Sequence, residues 1–206
     1  MSISEIGFTP GQKASSVRAF DNVESRKGYS GVYQFGASYN PGEFTSPAST
    51  KPVAGDYLLY GMASQALWRI DPRQGKGLDA TAAHDWSPPD INRNNTMFTA
   101  GLRFNEPLPL RIHNTISVGY VESRLSQRFV QNGSPSWNPE RAIEFNTLLD
   151  LAPSVLFQPV IQYYENAGGR TQRVVVIGFR IKIELQIVPW LIQSCSGLFS
   201  PGMKIR

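Results

Sequence analysis

The chain has 206 residues, enough for one sizeable domain or a large part of a bigger one. Lys plus Arg exceed Asp plus Glu by 20 − 16 = 4, and the basic residues are dispersed, which argues against nucleic acid as a partner. A single cysteine, Cys195, excludes an internal disulfide framework, and no run approaches the roughly 18 apolar residues of a membrane-spanning helix.

The opening residues, MSISEIGFTP, lack the basic start and apolar core of a secretion signal, so the chain as written is expected not to be exported. An eighth strand within the first twenty residues is left open, because the pattern there is poor. Beyond it, period-two segments at residues 29–39, 56–70, 96–104, 111–122, 141–151, 154–164 and 174–185 predict seven strands. Gly, Pro, Asn, Ser and Asp clusters separate them. A helix over 140–151 is the best competitor, but Pro153 and the Phe145/Thr147/Leu149/Leu151 alternation favour a strand.

Connections 104–111 and 151–154 are short. Residues 71–95, 130–140 and 165–173 read as longer polar loops, the first holding His84 and Trp86 and the second Trp137. Short turns alternating with longer loops are the rhythm of a transmembrane barrel. The 16-residue connection 40–55 breaks that rhythm.

The last strand shows the pattern best. In TQRVVVIGFRIKIEL, Phe179, Ile181, Ile183 and Leu185 fall on one face only at 180° per residue, with Arg180, Lys182 and Glu184 on the other. Two architectures satisfy such alternation. A soluble β-sandwich turns the apolar face to a core, and could bind carbohydrate through Trp86 and Trp137. A membrane barrel turns it to lipid and the polar face to a wet lumen.

In the barrel reading the outward rows include Tyr33/Phe35/Ala37/Tyr39, Leu58/Tyr60/Met62, Phe98/Ala100/Leu102/Phe104 and Ile112/Ile116/Val118/Tyr120. They continue through Phe145/Leu149/Leu151, Val155/Phe157/Ile161/Tyr163 and the Phe179 row. The lumen candidates are Arg103, Arg111, Glu144, Gln158, Gln162, Arg180, Lys182 and Glu184, with Gln65, Arg69, His113 and Asn146 on the same side. No Gly-rich phosphate loop, paired-Cys spacing or nucleophile elbow is present, and His84 and His113 have no partner at helical spacing. Neither a catalytic group, a cofactor nor a metal is expected.

Longer strings are more specific. GVYQFGASYNPGEF, FTAGLRFNEPLPLRIHNTISVGYVESRLS, EFNTLLDLAPSVLFQPVIQYYENAGG and the closing VVVIGFRIKIEL together resemble the C-terminal half of the OprB-type carbohydrate-selective porins. The resemblance implies an all-β, antiparallel transmembrane barrel of sixteen strands, of which this chain holds about the last seven to eight. It also implies passive diffusion of small sugars across the outer membrane of a Gram-negative bacterium, and no enzyme activity. The implied partners are small sugars, outer-membrane lipid and the barrel-assembly machinery, with a homotrimer left open. Residues 1–185 are expected to form the barrel portion. Residues 186–206, which lose the alternation and hold Cys195, are expected to be an unstructured extension outside the family.

Overall fold

A computed structural model of the protein describes residues 2–8, 30–46, 51–71, 73–128 and 138–184. Tyr29, Trp137, Leu185, Cys195 and the extension 186–206 lie outside these described residues. Nine strands follow in chain order: β1 (Ser2–Phe8), β2 (Gly31–Thr45), β3 (Pro52–Asp71), β4 (Lys76–Trp86), β5 (Asn94–Asn105), β6 (Asn114–Leu125), β7 (Glu140–Ala152), β8 (Val155–Glu165) and β9 (Arg173–Ile183). They form one meander in which each strand pairs antiparallel with its sequence neighbours, from β1 at one edge to β9 at the other.

Residues opposite one another on adjacent strands share a face, so the registers sort the side chains. One row runs Ile177–Ile161–Phe145–Val118–Leu102–Ala80 across six strands. On the other face a row runs Gln162–Glu144–Gly119–Gly101–Thr81–Ser64. Residues from β4 through β9 line a common concavity on this polar face, so the sheet curls with the polar face inward.

Among the described residues no second layer covers the apolar face. Among the described residues only Val32 and Ala66 are buried hydrophobics, whereas Ile161 and Phe145, well inside the sheet, are 49% and 46% exposed. Leaving a Phe or Ile side chain in water forgoes about 1.5–3 kcal/mol each. The face therefore needs a non-aqueous neighbour. A β-sandwich needs two facing sheets and a shared core; the described residues form one sheet.

The strand count corrects the sequence reading. Residues 76–86 form β4, not part of a polar loop, and His84 and Trp86 sit on it; Trp86 stacks against Tyr57 on the apolar face at 5.4 Å. The turn before it is tight. Asp71 accepts the Arg73 amide at 2.9 Å, and Gly77 has φ 141, where a Cβ would lie 2.1 Å from the Trp68 carbonyl oxygen. With β4 in place the odd 40–55 connection resolves as well, because β2 runs on to Thr45 through an irregularity between Asn40 and Glu43.

One row shifts phase. Leu58, Tyr60 and Met62 pair with Ser38, Gly36 and Gln34 on the polar face, and Gln65 pairs with Gly31 on the other. An extra residue between Ala66 and Trp68 restores the phase, so Arg69 still points inward. The Tyr60 ring lies over Gly36, where a Cβ would force it to shift. From β2 onward, connections 72–75 and 153–154, the two tightest, lie at one end of the sheet, and the longest, 126–139, lies at the other.

Candidate functional site: the polar concave wall

Two hydrogen-bonded clusters and one concavity organise the inward face. On β7 and β8, Glu144 accepts from the Asn146 amide at 2.8 Å and from Gln162 Nε2 at 2.5 Å. Tyr164 donates to Gln162 Oε1 at 3.0 Å, and Gln158 donates to Asn146 Oδ1 at 3.2 Å. Alternation places these side chains on one face, and the β7–β8 register sets Glu144 directly opposite Gln162. Three of the expected lumen residues are thereby joined.

The second cluster spans β3 to β5. Arg69 and Asp79 form an ion pair at 2.5 Å with side chains 0% and 3% exposed. Asn105 donates to the other Asp79 oxygen at 2.8 Å, and Arg103 Nε donates to Asn105 Oδ1 at 3.0 Å. Arg103 is thus held against the wall rather than swinging freely. Asp79 escapes the sequence reading because it lies on β4; the alternation Leu78/Ala80/Ala82/His84/Trp86 is the signal that could have found it.

Near the tight-turn end, a concavity of about 440 Å³ brings Arg103 together with Lys182 and Glu184, and adds Lys76, Glu106 and His113. Lys182 and Glu184 pair at 2.5 Å. The Lys182 hydrogen bond, then its charge, holds the Glu184 carboxyl below its ordinary value against a smaller opposing effect of burial. Arg180 faces Gln158 across β8–β9 and has no side-chain partner among the described residues, leaving its guanidinium open to solvent. Arg111 stands apart. It was expected on a strand from residue 111, but β6 begins at Asn114 and Arg111 is exposed in the connection. Buried Asn114 fixes that boundary by donating to the Leu108 and Ile112 carbonyls at 3.2 and 3.1 Å and accepting the Leu108 amide at 3.2 Å. Ile112 and His113 lie in the same connection.

Glu106, in that connection with φ 53, accepts Lys76 Nζ at 2.6 Å and faces His113 Nδ1 at 2.7 Å. Burial alone would raise its pKa; the hydrogen bonds and charges of Lys76 and His113 together outweigh that, and the net shift is downward. A carboxylate with a lowered folded pKa contributes stability in full above its ordinary value of 4.5 and loses it as pH falls through the folded value. Acidification from about pH 6 to about pH 3 is therefore expected to lower amide protection, taken relative to the intrinsic exchange rate at each pH, across residues 106–113. Glu106→Gln should flatten that response; an equally steep response in the variant would refute the role of this carboxylate.

Between the clusters the wall is low. Gly119 and Gly101 are register partners, and a Cβ on Gly119 would meet nothing within 4 Å. The face thus offers a carboxylate, amides and guanidiniums beside an open track, which suits hydrogen bonding to a polyhydroxyl solute without any reacting group. Among the described residues no group of three or more His, Cys, Asp or Glu could hold a metal ion.

A single antiparallel meander, curled around a hydrated face and bare on its apolar face, is the wall of a transmembrane β-barrel of the porin class. Residues 3–185 match the family described as "Carbohydrate-selective porin, OprB family". The chain belongs to that family. A solved structure titled "High pH structure of Pseudomonas putida OprB" superposes with a TM-score of 0.73 at 15% identity, covering 88% of this chain and 47% of that one. At that identity the likeness speaks for the fold, and the chain spans about half the length of its neighbour. No curated protein sequence matches the chain.

Proposed function

We propose that this chain forms part of the wall of an outer-membrane, sugar-conducting pore, in which small sugars pass by diffusion along the concave face. The observation carrying this reading is the division of faces: exposed Ile161, Phe145 and Val118 on the convex side, and the Glu144–Gln162 and Arg69–Asp79 clusters on the concave side. A wet channel removes the cost of carrying hydroxyls through hydrocarbon. Pore width and the placement of donors and acceptors set selectivity. Glu144, Gln158, Gln162, Arg103 and Arg180 are the residues proposed to meet the solute, with Lys182 and Glu184 at the tight-turn mouth. That mouth is assigned to the periplasmic side, where barrels keep their shortest turns.

β1 and β9 run in the same direction, because nine strands separate into five one way and four the other. Antiparallel closure therefore takes an odd number of further strands, and seven would give sixteen. Unpaired edges are untenable in lipid. The nine strands by themselves are expected to conduct no sugar, whereas liposomes bearing them in a completed barrel should swell in isotonic glucose. Gly119→Trp, which projects a ring over the open track, should slow swelling without unfolding the barrel. Glucose-dependent conductance from the nine strands alone, or unchanged flux in Gly119→Trp, would contradict this reading.

A further inference from the structure

Across β6 to β9 the convex face carries charge at one place. Its residues include Ile116, Val118, Phe145, Ile161, Ile177 and Phe179, and charge enters only at the long-loop end. There Glu122, Arg124, Arg141, Glu165 and Arg173 lie together: three guanidiniums against two carboxylates.

The hydrogen bonding leaves the excess charge facing outward. Glu122 is 14% exposed and accepts from Tyr120 at 2.9 Å, Arg124 Nε at 2.8 Å and Arg141 Nε at 3.0 Å. Glu165 receives Arg141 Nη1 at 3.4 Å and lies 3.7 Å from Arg173 Nη2. Both Nη groups of Arg124 therefore have no protein acceptor among the described residues, and Arg124 is 68% exposed. The carboxylates orient the guanidiniums by Nε and leave the outer donors of Arg124 available. Such a fork matches a phosphate.

Directly beneath, His84, Thr96, Phe98, Tyr120, Glu122 and Arg124 line a crevice of about 450 Å³ on the same convex face. Phe98 and Tyr120 stack at 6.3 Å to form its apolar part. Aromatic rings at this depth sit where headgroups give way to acyl chains.

We propose that this crevice binds a phosphate-bearing lipid of the leaflet at the long-loop end. Arg124 and Arg141 grip the phosphate, and an acyl chain lies along Phe98 and Tyr120 toward Val118. An anionic lipid answers both halves of the site, the surplus positive charge and the continuity with the apolar band. A free phosphate answers only the first. The site needs the convex face to meet lipid but does not depend on what passes through the lumen, so failure of sugar flux and failure of lipid binding are separate results.

The chain as part of a completed barrel in maltoside micelles, with strand content checked by circular dichroism, can be titrated with bisphosphorylated lipid A and followed by native mass spectrometry. A retained one-to-one adduct is expected. Arg124→Gln and Arg141→Gln should each weaken it by about tenfold or more, as loss of a charge-assisted hydrogen bond implies. Arg73→Gln, the same charge change in the 72–75 turn at the opposite end, should leave it intact. Dephosphorylated lipid A should bind no better to the wild type than to Arg124→Gln, and inorganic phosphate should not compete at equal concentration. Equal binding by folded wild type and Arg124→Gln would overturn the proposal. So would full competition by inorganic phosphate, which would reduce the site to a plain anion site.

Discussion

Asp79→Ala is expected to be among the most damaging single changes in this sheet. It strands the Arg69 guanidinium, whose side chain is 0% exposed, and removes the acceptor for Asn105 that in turn steadies Arg103. Removing one partner of a buried ion pair costs about 3–5 kcal/mol, because the remaining charge stays desolvated. Arg69 also donates to the Trp68 and Leu78 carbonyls at 3.2 and 3.4 Å, so it cannot readily swing out to water. Urea unfolding of the completed barrel in lipid vesicles, followed by tryptophan fluorescence, measures the loss. The double variant Arg69→Met/Asp79→Leu should recover most of it, since neither charge is then left buried. A loss below about 1 kcal/mol in Asp79→Ala, the range of an exposed pair, would show that this pair is open to solvent after all.

The second large effect tests the two faces against each other. Ile161→Arg places a charge in the middle of the apolar band, between register partners Phe145 and Ile177. Such a change on a barrel's lipid face costs about 2–4 kcal/mol near the bilayer midplane. Gly119→Arg puts the same side chain on the concave wall, where a Cβ meets nothing within 4 Å. Its cost should stay within about 0.5 kcal/mol, as for a surface change away from any packed contact. Equal penalties at the two positions would mean that both faces meet the same medium.

Much of this arrangement was readable from residue order, for reasons that differ along the chain. β6 to β9 largely alternate β-branched and aromatic residues with charged and amide ones, so Phe145, Ile161 and Phe179 sort from Glu144, Gln162 and Arg180, although Leu148 and Val160 fall on the polar side. Parity alone therefore found the Glu144–Gln158–Gln162 cluster. β4 was missed because Ala80, Ala82 and Ala83 offer no contrast between faces, and Gly75 and Gly77 read as loop. The phase of β3 was lost because Tyr57 and Leu59 on one face compete with Leu58, Tyr60 and Met62 on the other. An extra residue at 67 then hides the switch from simple counting. With β4 unseen, Asp79 had no place on the wall. Arg111 was extended into a strand because alternation continues past the ladder, which Asn114 ends through hydrogen bonds to Leu108 and Ile112.

Spin labels report the central division of faces most directly. After Cys195→Ser removes the native thiol, single cysteines at Val118, Ile161 and Phe179, or at Ser117, Gln162 and Arg180, can be labelled and the chain placed in lipid bilayers as part of a completed barrel. Collision with oxygen, which concentrates in hydrocarbon, should dominate at the first three positions. Collision with a water-soluble nickel chelate should dominate at the second three. Chelate-dominated relaxation at Val118 and Ile161, or oxygen-dominated relaxation at Ser117 and Gln162, would contradict a sheet that turns Ile161 to lipid and Gln162 to enclosed water.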